Sequence, residues 1–243
     1  LEKSILSLAV TGKLTPQNSA DGTAEDLYIK IQSTKEKFEK DNGKSKTYES
    51  ITKQEIPLEI PENWKWVRLG EISTVKGGKR IPKGMSLSEA ETKHPYLRVT
   101  DMKSQSINQY GLKYIDEKVF NEISRYVISK DDVYVTIAGT IGAVGLIPDN
   151  LDGANLTENA AKITIFGGIY KEFVMNTLRS SYVQKQFLEK TLQMAQPKLA
   201  LHRIESSVVA LPPLAEQKRI IEKIDELMVS VQKLREGKWG QGQ

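Results

Sequence analysis

The stretch LPPLAEQKRIIEKIDELM, Leu211 to Met228, limits what this chain can fold into more than any other. Proline has no amide hydrogen and a fixed φ, so Pro212 and Pro213 cannot lie inside a helix, whereas the first turn tolerates them because its amides lack partners anyway. A helix therefore starts here. From Ile220 the apolar residues fall at Ile220, Ile224, Leu227, Val231 and Leu234, the four-three-four-three spacing of a helix with one buried face, and Ile221 and Met228 widen the stripe. Such a seam requires another helix. At the opposite end Leu1, Ile5 and Leu8 repeat the spacing, and Gly12 followed by Pro16 predicts where that first helix stops.

Between these arms, Thr23 with Asp26 has the form of a capping box, and Leu27, Ile31 and Phe38 give the following helix one apolar face. Lys40 to Pro61 is polar and lysine-rich and reads as a poorly ordered surface linker. From Trp64 the texture changes to short β-type runs broken by glycine: Val67 and Leu69, Tyr96–Thr100, Val133–Ala138, Ala143–Ile147, Ala161–Phe166 and Val208–Leu211. A helix is predicted from about Lys171 to Met194. The pattern is α+β: a domain on a mixed or antiparallel sheet, with a long coiled-coil-type C-terminal helix and a short N-terminal helix. There is no tandem repeat.

Composition excludes several classes. At 243 residues, with 39% hydrophobic and 27% charged residues, the chain can bury a real core, and it has neither a bilayer-length apolar run nor a secretory leader, so it reads as cytoplasmic, with no membrane partner. It has no cysteine and only His94 and His202, which removes disulfides, thiol nucleophiles and a histidine-rich metal centre. The formal charge of +4 is a mild excess. Its distribution matters more: Lys76, Lys79, Arg80, Lys83, Lys93, Arg98 and Lys103 stand against Glu89, Glu91 and Asp101 in one window.

Within that window VKGGKRIPKG, Val75 to Gly84, is either a solvated charge run or a mobile glycine loop that offers Lys79, Arg80 and Lys83 to phosphates. Arg98 and Lys103, around YLRVTDMK, extend it, with arginine suited to guanine edges and lysine to phosphates. The segment VYVTIAGTIGAVGLI places Gly139, Gly142 and Gly145 between two apolar runs. It has no GxxxxGK[ST] pattern, so a tight turn between strands competes with a close approach to phosphate assisted by Thr140. In AQPKLALHRI, Gln196 has the geometry to read adenine and Lys198 the charge for a phosphate, beside His202 and Arg203; a helix C-terminus favouring cations is the alternative.

Catalytic signatures are scarce. Asp101-Met102-Lys103 has the DxK spacing of metal-dependent nucleases without an upstream Pro-Asp pair, and GxSxG, HExxH and the Asn/Asp-Pro-Pro-Tyr of amino-methyltransferases are all missing. A metal-dependent DNA endonuclease using Asp101 and Lys103, and a purely helical scaffold whose basic window serves solubility, stand as alternatives to a DNA-reading module.

In order and separation, SILSLAVTGKLTPQ, IPENWKWVRLGEI, DVYVTIAGTIGAVGLI, NLTENAAKI, AQPKLALHRI and LPPLAEQKRIIEKIDELM together resemble the specificity subunits of type I restriction-modification systems across nearly the whole chain. The resemblance implies a non-catalytic subunit without a cofactor of its own. It further implies double-stranded DNA, methyltransferase subunits and restriction subunits as partners, with two recognition domains each reading half of a split target and conserved helices setting the spacer. Carried over, the DNA-facing segments are Lys76–Lys83, Arg98–Lys103 with Thr100, the turn at Thr140, Asn155–Asn159 with Asn155 and Thr157, and Gln196–Arg203.

One departure is plain, because only one recognition domain is present. The chain also opens at Leu1 without methionine, so it reads as a natural half-subunit or a truncated piece. The expected organisation is a helical segment at 1–40, a linker at 41–63, the recognition domain at 64–212, the arm at 213–236 and a tail at 237–243. A twofold dimer through Ile220, Ile224, Leu227, Val231 and Leu234 is the economical way to supply a second reader, although Leu1, Ile5 and Leu8, the other helix-interface residues, could cover that stripe within one chain.

Overall fold

A computed structural model describes residues 1–42, 46–56, 58–189 and 197–239. The chain divides into two compact units. One gathers Leu1–Arg68, Phe166–Val183 and the chain from Val208 on, and the other holds Leu69–Ile165 with Gln184–Ser207. The span 64–212 expected for recognition is therefore broader than the strand-rich unit. Its two ends pair with each other inside the helical unit, where Lys65–Arg68 and Val208–Leu211 form an antiparallel ladder from Lys65↔Leu211 to Arg68↔Val208.

In the helical unit the last helix, Leu214–Trp239, begins directly after the two prolines, and the Pro213 carbonyl accepts from the amides of Glu216 and Gln217 at 3.1 and 3.0 Å. Its apolar stripe packs on the helices Glu2–Ala9 and Lys171–Arg179. Ile220, Ile224 and Val231 are buried and Leu227 is half-buried, and on the first helix Ile5, Leu6 and Ala9 are buried as well. Of the two covers that the spacing allows, the structure has the one within the chain, and the stripe is not left open for a second copy. Covering it within one chain removes the same apolar area from water without the entropy cost of association. Of the proposed interface residues, Leu1, Leu8 and Leu234 remain exposed.

The first turn of that last helix also carries the polar centre of the unit. Glu216 is fully buried, and its carboxylate accepts from the Trp64 indole at 2.7 Å, the Gln17 amide at 2.6 Å and the Thr15 hydroxyl at 3.5 Å. Burial pushes its pKa up, while the Trp64 and Gln17 donors pull it back. The neighbouring Gln217, equally buried, accepts from the Tyr170 amide at 3.2 Å and donates to the Pro212 carbonyl at 2.9 Å. Gly12, at φ +67°, lies where a Cβ would stand 2.5 Å from the Pro61 ring, so only glycine lets the turn after the first helix close against it.

Thr23 caps the helix Ala24–Asn42 as expected, its hydroxyl accepting from the Asp26 amide at 3.2 Å and donating to the Asp26 carboxylate at 2.7 Å. In its described residues 46–56 the expected linker lies at the surface and is tethered to the strand that follows it. Arg68, itself buried, reaches out of its strand to the Glu55 carboxylate at 2.6 and 3.1 Å and the Glu49 carbonyl at 3.2 Å. The guanidinium, followed by the Thr52 amide, holds Glu55 down to about 2. The helix predicted from Lys171 is two helices, Lys171–Arg179 and Ser181–Leu188, because Ser180 turns extended at ψ 148° and its hydroxyl accepts from the Val183 amide at 3.4 Å as a fresh N-cap.

The strand-rich unit contains two four-stranded sheets. One is antiparallel and ordered Ser73–Gly77, Ala160–Ile165, Val133–Thr136, Val144–Leu146. The other is ordered Lys113–Ile115, His94–Leu97, Ala154–Leu156, Val127–Ile128, and its central pair is parallel, with Leu97 beside Leu156. All four residues of Val133–Thr136 are buried, which explains a run of apolar residues where a half-exposed strand would alternate. Met102–Lys103 and Ser106–Ile107 add a small hairpin. The α+β class expected from the sequence holds. Among the described residues no helix is long and apolar enough to cross a membrane.

Replacing Glu216 by alanine would leave the Trp64 and Gln17 donors buried without an acceptor, and we expect a loss of about 2–4 kcal/mol. Glu216→Gln, which keeps one acceptor oxygen, should lose less. Urea unfolding followed by tryptophan fluorescence measures both.

Candidate nucleic-acid interface

Main-chain hydrogen bonds bring the sequence-predicted loops of the strand-rich unit to one rim. The turn between Ala154–Leu156 and Ala160–Ile165 lies at its centre. Leu156 accepts from the Lys79 amide at 2.8 Å, Ala160 from the Gly78 amide at 3.0 Å, and Asn159 from the amides of Ile137 and Ala138 at 2.8 and 3.2 Å. On the flanks, the Thr157 amide donates to Leu97 at 3.1 Å and the Leu199 amide to Ile137 at 2.8 Å. Four stretches widely separated in sequence, at 78–79, 97, 137–138 and 199, are thus fastened to or through residues 156–160.

Glycine makes these approaches possible. A Cβ on Gly78 would stand 2.2 Å from the carbonyl oxygens of Leu156 and Thr157, closer than any side chain tolerates. The mobile loop expected at VKGGKR is therefore clamped at its base, further held by the Tyr96 hydroxyl donating to the Lys79 carbonyl at 2.8 Å. Gly139 and Gly142, at φ +76° and +84°, turn the chain between Val133–Thr136 and Val144–Leu146, the tight-turn reading of that motif.

On this backbone frame the side chains sort into two groups. Lys76, Lys79, Arg80, Lys83, Thr100, Lys103, Thr140, Lys198 and His202 are exposed, and Arg203 is half-buried. Lys79 Nζ stands 5.7 Å from the centre of the Tyr126 ring. Arg80 spends its Nε on Glu158 at 2.6 Å, and its side chain stays 75% exposed. For Glu158 burial raises the pKa, yet the Arg80 guanidinium with the Thr157 hydroxyl and the residue's own amide outweighs it, so the carboxylate is held below its ordinary range. Glu158 keeps the Arg80 fork presented at the rim.

The second group builds the frame, and three expectations are corrected. Arg98 is not available to a base edge: its guanidinium grips Asp101 at 2.7 and 3.0 Å and donates to the Gly111 carbonyl at 3.0 Å. Asn155 is fully buried and donates to the Ile123 carbonyl at 2.9 Å. Thr157 is buried, with its hydroxyl on Glu158 at 3.0 Å. Asp101 is also buried and both of its oxygens serve Arg98, which takes away the ligand that the endonuclease alternative needed. Among the described residues no group of three or more acidic or histidine side chains is arranged to hold a metal ion. Gln196 lies outside the described residues.

Residues 61–237 match the sequence model of the type I restriction modification DNA specificity domain, far more than half of the chain. The chain belongs to that family. Similar proteins include the specificity subunit of the type I restriction enzyme EcoAI of Escherichia coli, 27% identical over 97% of this chain and 40% of that protein. The EcoBI specificity subunit of Escherichia coli is 25% identical over 93% of this chain and 42% of that protein. In fold, the specificity domain resembles the HsdS subunit of Thermoanaerobacter tengcongensis, with a TM-score of 0.58 at 19% identity, covering 74% of this chain and 41% of that one. The chain thus spans about two fifths of the length of these relatives.

Sequence reasoning missed what tunes the rim of this specificity domain: Tyr96 as a clamp, Tyr126 under Lys79 and Glu158 as the holder of Arg80. Each acts across many residues of chain, and no local pattern marks it.

Gly78→Ala should lower the stability of the strand-rich unit by about 1–3 kcal/mol, since backbone carbonyls must give way. Gly77→Ala, whose Cβ would meet Leu201 at an ordinary 3.7 Å, should be tolerated. Thermal unfolding of the two variants side by side tests the clamp.

Proposed function

We propose that this chain is a non-catalytic reader of DNA: its strand-rich unit recognises one half of a split duplex target, and its helical unit docks methyltransferase subunits, with restriction subunits joining in the full assembly. The observation that carries this reading is the rim. Lys79, Arg80, Lys83, Thr140, Lys198 and His202 are exposed on loops fastened to a common frame, with Glu158 holding Arg80 beside them. Exposed cations on a rigid frame suit a phosphate backbone, and loop side chains between them suit base edges. Family membership points the same way, since the matching domain is described as a DNA specificity domain and the similar proteins are specificity subunits.

On this reading the buried stripe of Leu214–Trp239 is a strut, and the uncovered residues Leu1, Leu8 and Leu234 are what the arm offers to a partner or a second copy. The recognition domain keeps the outer limits 64–212 as a genetic unit, with the flanking segments 1–40 and 213–236 as its arms.

The double variant Lys79→Ala, Arg80→Ala should weaken duplex binding and reduce the slope of log affinity against log salt by about 1–2, as each lost phosphate contact removes roughly 0.9. Binding with an unchanged slope would remove this loop from the footprint. Fluorescence anisotropy across a salt series, with and without methyltransferase subunits, gives the measurement.

A further inference from the structure

The small hairpin after the basic window has a backbone that its sequence does not favour. Met102 pairs with Ile107 and Lys103 with Ser106, which leaves Ser104 and Gln105 as a two-residue turn, and both have positive φ, +52° and +59°. A two-residue turn of this hand needs both central residues in the left-handed region, where Asn-Gly or Gly-Gly is at ease and other side chains are strained. These are the two positive-φ residues other than glycine among those described.

This strain is held from outside the hairpin. The Gln105 carbonyl accepts from the Leu146 amide at 2.9 Å, and the Ser106 carbonyl accepts from the buried Tyr134 hydroxyl at 2.9 Å. Gly145 completes the seat: a Cβ there would stand 2.4 Å from the Gln105 carbonyl carbon and from the Tyr134 hydroxyl. The third glycine of GTIGAVG therefore serves the hairpin and not the turn beside it. While the main chain of 105–106 is locked, the side chains of Lys103, Ser104 and Gln105 are all exposed. A tip that packed only for its own sake would be cheaper with glycine. Strain maintained by neighbours at an exposed tip is the mark of side chains kept for a task.

We infer that Gln105 is a specificity-determining residue that reads a base edge, with Lys103 beside it on a phosphate. The carboxamide offers a donor and an acceptor together, the pairing that matches N6 and N7 of adenine in the major groove. Its locked backbone means that little freedom is lost on contact. The inference rests on the DNA-reading function proposed above.

The test is selection of the full chain from a pool of random-sequence duplexes, sequencing what is retained. The wild type is expected to enrich a motif containing an adenine that Gln105→Ala no longer distinguishes, about a tenfold loss of discrimination at that base pair with the other positions kept. Gln105→Gly should show the same loss with a melting temperature no lower than the wild type, which separates reading from folding. If wild type enriches a motif and both variants enrich it unchanged, Gln105 is not a reader, though the DNA-binding function stands. Should the wild type enrich nothing, with or without methyltransferase subunits, the function and this inference fall together.

Discussion

A carboxylate with no water around it governs the helical unit. Glu216 is buried in the first turn of Leu214–Trp239, and an ionised carboxyl there is tolerable only if donors surround it. Trp64 and Gln17 supply them from segments far away in sequence, and Gln217 next door ties in Tyr170 and Pro212. Four parts of the chain are thereby registered on one helical turn. The prolines before it prevent the helix from starting earlier, so the position of the turn, and with it the phase of the apolar stripe, is set. Apolar packing of Ile220 and Ile224 supplies the bulk of the burial, but it has no comparable power to choose a register.

The strand-rich unit solves a different problem: presenting exposed side chains on a frame that does not depend on them. Its rim is fastened by amides and carbonyls at Gly78, Lys79, Ile137, Ala138, Thr157 and Leu199, which any side chain at Lys79, Thr140 or Lys198 leaves intact. Where a side chain would block the fastening, glycine stands, as at Gly78 and Gly145. Polar side chains with structural duties are spent on the frame, Asn155 and Asp101 buried and Arg98 half-buried on Asp101. Such a division leaves the frame independent of which side chains stand at those positions.

Much of this was legible in the sequence. The two prolines, the cap at Thr23 and the apolar spacing all announced helices that formed, and the strand at Val208–Leu211 ended where expected. Loops chosen for their charge did converge. What could not be read were choices made by folded-state partners, near and far in sequence. The stripe on the last helix had two possible covers, a second chain or the first helix, and its spacing alone could not choose between them. Arg98 and Lys79 look alike as cations in one window, yet Asp101 captures the first and leaves the second exposed. Gly78 suggested mobility, and only the carbonyls of Leu156 and Thr157 show that it permits contact instead. Short strands such as Ser73–Gly77 and Ala154–Leu156 hid among lysines and asparagines because pairing, not propensity, makes them.

The central claim is that the fastened rim is the surface DNA meets. Amide hydrogen exchange of the full chain, with and without mixed-sequence duplex at low salt, tests it most directly. The account predicts added protection at residues 79–83, 138–142 and 197–203 and none along Leu214–Trp239. Protection that appears on that helix while the rim exchanges as before would contradict it.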